Sequence, residues 1–114
     1  MEATADAILV VDPNQKRILV NSKIATLFHV PSAIMNNDDD SLLLNHVMSL
    51  VNSPDQFISK VKYLYEHVTE TSTDRVELKD GGMLERYSAP VVGKNGVNFG
   101  RIWTFHEVMG TMST

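Results

Sequence analysis

The stretch from Ser72 to Val108, STDRVELKDGGMLERYSAPVVGKNGVNFGRIWTFHEV, holds most of the chain's β-formers and two turn signals, Asp80-Gly81-Gly82 and Asn95-Gly96. Turn residues between short runs of β-branched and aromatic side chains are the mark of an antiparallel meander, here with three strands. Arg75 to Lys79 alternates polar with apolar and places Val76 and Leu78 on one face, so that strand is expected to be covered on one side only. Met83 to Val92 and Val97 to Val108 are longer, and Pro90 marks an edge or a bulge in the first of them. In the last run Arg101, Trp103 and Phe105 share one face, and Ile102, Thr104 and His106 share the other. Both faces carry apolar bulk. One should therefore meet the helices, and the other, formed by Trp103 and Phe105 or by the opposite parity, should meet a flanking helix or a second copy of the chain.

Working outward, Ala7 to Val11 and Arg17 to Val20 read as a hairpin, turned at Asp12-Pro13-Asn14-Gln15 with Pro13 at the first central position. Asn21 or Ser22 can cap a short helix that carries Ile24, Leu27 and Phe28 on one side and stops before Pro31. The acids of Asn36 to Asp40 precede the helix SLLLNHVMSLV, residues 41–51, where they would face its positive end. A calcium loop is the competing reading of those acids, but neither the glycine at its sixth position nor the glutamate at its twelfth is present. Ser53-Pro54-Asp55-Gln56 has the form of a capping box with proline at the first helical position. It opens an amphipathic helix, Pro54 to Val68, with Phe57, Val61, Leu64, Tyr65 and Val68 on its apolar face. The order is strand, strand, helices, strand, strand, strand. The expected fold is α+β: a five-stranded antiparallel sheet with short helices and one longer helix covering one face.

Length and composition agree with one globular domain: 114 residues, 43% hydrophobic and 21% charged. A net charge of -4 with no basic run beyond Lys16-Arg17 argues against nucleic acid as a partner. No apolar run approaches the roughly 20 residues of a membrane span. There is no cysteine, which removes disulfides, thiolate nucleophiles and thiolate metal ligands together. The chain also lacks a Gly-x-Ser-x-Gly elbow and a glycine-rich phosphate loop, and Glu77 and Glu85 on neighbouring strands read as solvated face residues, so no enzyme is expected.

The element order, with ATADAILVVDPNQKRILVNSKIATLF at the front and LKDGGMLERYSAPVVGKNGVNFGRIWTFHEV at the back, resembles the PAS sensor domain. The strings ERYSAPV and GRIWTF are similar to those of PAS domains in bacterial signalling proteins of the sensor histidine kinase and diguanylate cyclase type. The middle helices agree in pattern only. The resemblance implies a non-catalytic, cytoplasmic sensory module that binds a small ligand or partner and passes a conformational change to an attached effector. It further implies a homodimer and a single domain, residues 1–114, cut from a longer protein. The family's last strand usually closes with an Asp-Ile-Thr triplet that ties the sheet to the outgoing helix. Here Glu107-Val108-Met109 stands in that place, keeping the carboxylate and losing the hydroxyl, and these three residues are the candidate exit for the signal.

Cofactors of that family can be weighed by residue type. Flavin photochemistry and a thioester-linked chromophore both need a cysteine and are excluded in their usual forms. Haem needs a histidine from the helices, and His67 and His46 are the candidates. His67 falls beside the apolar stripe of its helix, which argues against haem; His29 and His106 are placed worse, and no histidine pair has the spacing of a helical metal site. What remains is a pocket between the long helix and the sheet, walled by Phe57, Val61, Leu64 and Tyr65. Arg86 shares its parity with Leu84, Ser88 and Pro90. An inward Arg86 would favour a carboxylate or phosphate ligand, whereas an outward one would pair with Glu85 or Glu77; the rarity of buried arginine favours outward. The alternative for the whole pocket is a filled core, leaving a ligand-free homodimerisation or scaffold module.

Overall fold

The computed structural model describes residues 6–109. Five strands form one antiparallel sheet in the order β2-β1-β5-β4-β3. They are β1 (Ala7–Val11), β2 (Arg17–Val20), β3 (Ser72–Glu77), β4 (Met83–Val92) and β5 (Asn98–Met109), and four helices fall between β2 and β3. The meander expected from the two turns is present, and β1 closes the sheet against β5 through the pairs Ala7↔Phe105, Leu9↔Trp103 and Val11↔Arg101.

Local chemistry explains the turns. Asp12 Oδ1 accepts from the backbone N–H groups of Asn14 and Lys16, Pro13 supplies its fixed φ, and Gln15 takes a left-handed φ of 70° to complete the reversal. In the second hairpin Asp80 Oδ1 accepts from Gly82 N at 2.8 Å while Gly81 sits at φ 95°. Gly100 has a different task. A Cβ there would lie 1.9 Å from the Val11 carbonyl oxygen, so only glycine lets β5 approach β1 this closely.

The helices are α1 (Ser22–Phe28), α2 (Ser32–Met35), α3 (Asp40–Met48) and α4 (Pro54–Glu66). Asp39 is the N-cap of α3, its carboxylate accepting from Ser41 N at 3.0 Å and from the Ser41 hydroxyl at 2.6 Å; these bonds hold its carboxyl below the ordinary range. The helix-end reading of those acids is the one realised. Four local points differ from expectation. The short α2 was not anticipated. Asn21 stands at the N-cap of α1 but spends its side chain elsewhere, accepting from Ile8 N at 3.0 Å and donating to Asp6 O at 2.8 Å, which fastens β1 to the start of the helices. The capping box is not closed: Ser53 holds the N-cap position of α4 without a side-chain cap bond, and the helix ends at Glu66, with His67 as its C-cap, rather than at Val68.

The core lies between the helices and one face of the sheet. Phe28, Val51, Leu64 and Leu84 are its largest fully buried apolar side chains, and Phe28 meets Phe105 edge-on at 5.2 Å between ring centroids. Val76 and Leu78 are buried while their neighbours Arg75, Glu77 and Lys79 are exposed, which is the one-sided cover expected of β3. Pairing of β3 with β4 stops at Ser72↔Ser88, so Pro90 lies beyond the third strand, one residue before a register shift between Val91 and Val92.

Candidate functional site: an apolar pocket beneath the long helix

Parity along β5 decides which residues meet the helices. Arg101, Trp103 and Phe105 are buried at 3%, 4% and 6% exposure, and Ile102, Thr104 and His106 are half-buried on the opposite face. Trp103 and Phe105 are therefore not a partner face. They form the floor beneath the helices, and the outward apolar positions are Ile102 with Ile8 and Val10 of β1 and Tyr87 of β4. The reason is register: Ala7, Leu9 and Val11 pair with Phe105, Trp103 and Arg101, and of this shared face Leu9, Val11, Trp103 and Phe105 lie under α1, α3 and α4.

Above that floor lies a pocket of about 580 Å³. Phe57, Ile58, Val61 and Tyr65 of α4 form one wall, Leu43, Leu44 and Val47 of α3 and Ile24 and Phe28 of α1 form another, and Leu9, Val11, Trp103 and Phe105 form the floor. Gln15, Ser41, Lys62 and Glu66 also line it. Three of the expected wall residues, Phe57, Val61 and Tyr65, are there. Leu64 is not: at 1% exposure it is packed into the core beside Phe57, on the same side of the helix, and does not line the cavity. A polar contact crosses the pocket, from the indole N–H of Trp103 to the Tyr65 hydroxyl at 3.3 Å, with the rings 6.0 Å apart and inclined at 62°. An apolar cavity with a polar tip of this kind suits a small, largely apolar ligand.

Arg86 points inward, against the outward expectation, and is 4% exposed. Its guanidinium lies over the Phe57 ring at 4.5 Å and near that of Trp103 at 5.9 Å, donating to the Phe57 carbonyl at 3.3 Å and to Asp74 Oδ2 at 3.5 Å. Alternation supplied the parity but not the side, and Asp74, directly opposite Arg86 in the β3–β4 register, supplies the counter-charge that permits burial. Burial lowers the guanidinium's hold on its proton, and the charge of Asp74 works the other way. Arg86 does not line the apolar pocket; it faces a second, more polar one on the other side of Phe57.

A second buried arginine had no role assigned to it. Arg101 donates to the Ser88 hydroxyl at 2.9 Å and to the carbonyls of Glu70 at 2.9 Å and Val68 at 3.3 Å, tying the segment after α4 down onto the sheet. Its burial also lowers its proton affinity, opposed by Tyr65 and Glu70. An arginine sharing the parity of Trp103 and Phe105 was the available signal.

The histidines lie outside the apolar pocket. His46 Nε2 is 2.9 Å from the Phe28 carbonyl, and His67 is exposed at the end of α4, stacked on Tyr63 at 4.0 Å with Nδ1 2.8 Å from the Tyr63 carbonyl. Among the described residues no three acidic or histidine side chains converge as a metal site. At the end of β5, Glu107 and Val108 are exposed and Met109 pairs with Met83 across a register shift in β4. Residues 110–114 lie outside the described residues.

No protein-family profile matches the chain, and no curated protein matches it in sequence. Solved structures do match in shape. A domain of a putative light and redox sensing histidine kinase from Haloarcula marismortui superposes with a TM-score of 0.65 at 12% identity, covering 95% of this chain and 93% of that one. The sensor region of a sensor histidine kinase gives 0.65 at 14% identity, covering 90% of this chain and 39% of that one. The PAS domain of a Colwellia psychrerythraea protein gives 0.54 at 22% identity, covering 91% and 86%. At these identities the shared property is the architecture, and the architecture is the PAS fold.

Proposed function

We propose that this chain is a non-catalytic sensory and relay domain: a small, mostly apolar molecule enters the pocket beneath α4, and its presence shifts β5, which carries the change out at Glu107-Val108-Met109 to an attached effector. The observation that carries this reading is the pocket of about 580 Å³ floored by Trp103 and Phe105. These two side chains sit on the same strand as the exit, so whatever occupies the pocket touches the relay element directly. The histidine kinases among its structural neighbours support an effector of kinase type in a longer protein; a cyclase effector and a cytoplasmic setting belong to the proposal. Ile102, Ile8, Val10 and Tyr87, on the outward face of the sheet, are the surface for a second copy or a flanking helix. No described helix is long and apolar enough to cross a membrane.

In the rival reading the helices close over a filled core and the domain only dimerises. Native mass spectrometry of the purified chain separates the two, with Val61→Trp as a variant that plugs the cavity from α4. Retention of a small molecule, or uptake of a neutral aromatic compound such as 2-naphthol by the wild type and not by the variant, supports sensing. An unliganded mass with no uptake by either protein favours the scaffold.

A further inference from the structure

The polar pocket on the far side of Phe57, about 460 Å³, combines three features. First, the capping box at the start of α4 stands open: Ser53 makes no side-chain cap bond, and both Ser53 and Gln56 line the pocket instead. The helix start thus offers N–H groups and a hydroxyl to something other than itself. Second, Arg86 is buried with its Nε–H unpaired. A guanidinium presents Nε and the adjacent Nη as a two-pronged fork that matches a planar carboxylate. Here the fork is half used: Nη2 meets a single Asp74 oxygen at 3.5 Å, the outer limit of a hydrogen bond. Third, the charges lining the pocket are Lys60, Arg75 and Arg86 against Asp74 and Glu77, one cation in excess in a chain whose net charge is -4.

We propose that this pocket binds a small carboxylate anion, which takes the Arg86 fork in place of Asp74. Asp74 has somewhere to go, since its carboxylate already accepts from the Ser72 hydroxyl at 3.0 Å and lies 3.7 Å from Lys60 Nζ, and it is 28% exposed. Swinging outward, it opens the fork while staying paired. The incoming carboxylate then lies between Arg86 and the open start of α4. The site is separate from the apolar pocket and does not depend on the sensory reading, although Phe57 walls both cavities and offers a route between them.

The test follows the Arg86 Nε–H resonance and the backbone amides of Gln56 and Phe57 in the full chain by NMR, at constant ionic strength, while acetate, succinate or inorganic phosphate replaces chloride. The expected result is a saturable shift with the carboxylates. Asp74→Asn, which removes the competing charge while keeping the shape, should tighten binding by about tenfold, and Lys60→Gln should weaken it several-fold. Arg86→Lys keeps the charge and loses the fork, and should lose carboxylate binding by at least about tenfold. A drift no different from chloride, or an Asp74→Asn variant that binds no tighter, overturns the proposal whether or not Arg86→Lys folds. Phosphate binding tighter than both acetate and succinate also overturns it, since the fork accepts either anion and the pocket would then select a phosphate rather than a carboxylate.

Discussion

Trp103 on β5 donates its indole N–H to the Tyr65 hydroxyl on α4 at 3.3 Å, and this bond spans the apolar pocket from floor to wall. It joins the covering helix to β5, the strand that ends at Met109. Tyr65→Phe removes the acceptor from a buried donor and should cost about 1 kcal/mol. Because Trp103 is the only tryptophan, its fluorescence reports both the altered environment and the unfolding midpoint. An unchanged emission spectrum together with an unchanged midpoint would mean that the contact does not hold the helix to the strand.

Gly100 and Gly96 both have positive φ, 132° and 82°, but they differ in surroundings. Alanine at Gly100 would press its Cβ against the Val11 carbonyl, whereas alanine at Gly96 meets nothing within 4 Å. Gly100→Ala should cost at least about 3 kcal/mol or prevent folding, by combining backbone strain with a steric clash. Gly96→Ala should cost about 1 kcal/mol, from conformation alone. Denaturant midpoints of the two variants check the ordering, and equal losses would contradict the tight approach of β5 to β1.

Asp39 tests the start of α3. Its folded carboxyl holds its proton less tightly than usual because Ser41 donates to the ionised form. The stabilisation is therefore present above the ordinary carboxylate range, near roughly pH 4, and is lost as the pH falls through the lower folded value. Asp39→Ala should lower the melting temperature at neutral pH and make little difference in strong acid. A deficit equal at both pH values would point to a contact other than the cap.

Arg101 should control the segment after α4. Replacing it with Met removes donors to the carbonyls of Val68 and Glu70 and leaves Ser88 without its partner. Hydrogen exchange over residues 68–71 should accelerate by at least about tenfold, in line with the loss of one or two charge-assisted bonds. Unchanged exchange there would show that the latch is not what orders the segment.

The parts of the fold that were legible in the sequence were those written in local chemistry. Asp12-Pro13, Asp80-Gly81 and Asn95-Gly96 mark reversals by residue type alone, and the alternation about Val76 and Leu78 reports one-sided cover correctly. What alternation does not contain is which side of the sheet the helices take. That ambiguity put Trp103 and Phe105 on a partner face and, together with the rarity of buried arginine, turned Arg86 outward; the packing of α1, α3 and α4 over Trp103 and Phe105 resolves it. Burial of Arg86 needed Asp74 across the ladder and Phe57 above it, neither of which is near it in sequence. The open capping box is a failure of another kind: Ser53 and Gln56 have the right types and spacing, but Ser53 adopts φ -127° and ψ 75°, off the extended geometry usual for a capping residue. The short α2, only four residues after Pro31, has no period long enough to read.

The central claim is that the pocket contents act on β5. The most direct measurement follows the single Trp103 indole resonance and the backbone amides by NMR while 2-naphthol is added to the full chain. The account expects saturable shifts of the indole and of amides from Arg101 to Glu107, with β2 unmoved and the response abolished in Val61→Trp. Shifts confined to exposed apolar sites such as Phe99 and Val97, or no saturable shift of the indole, would contradict it.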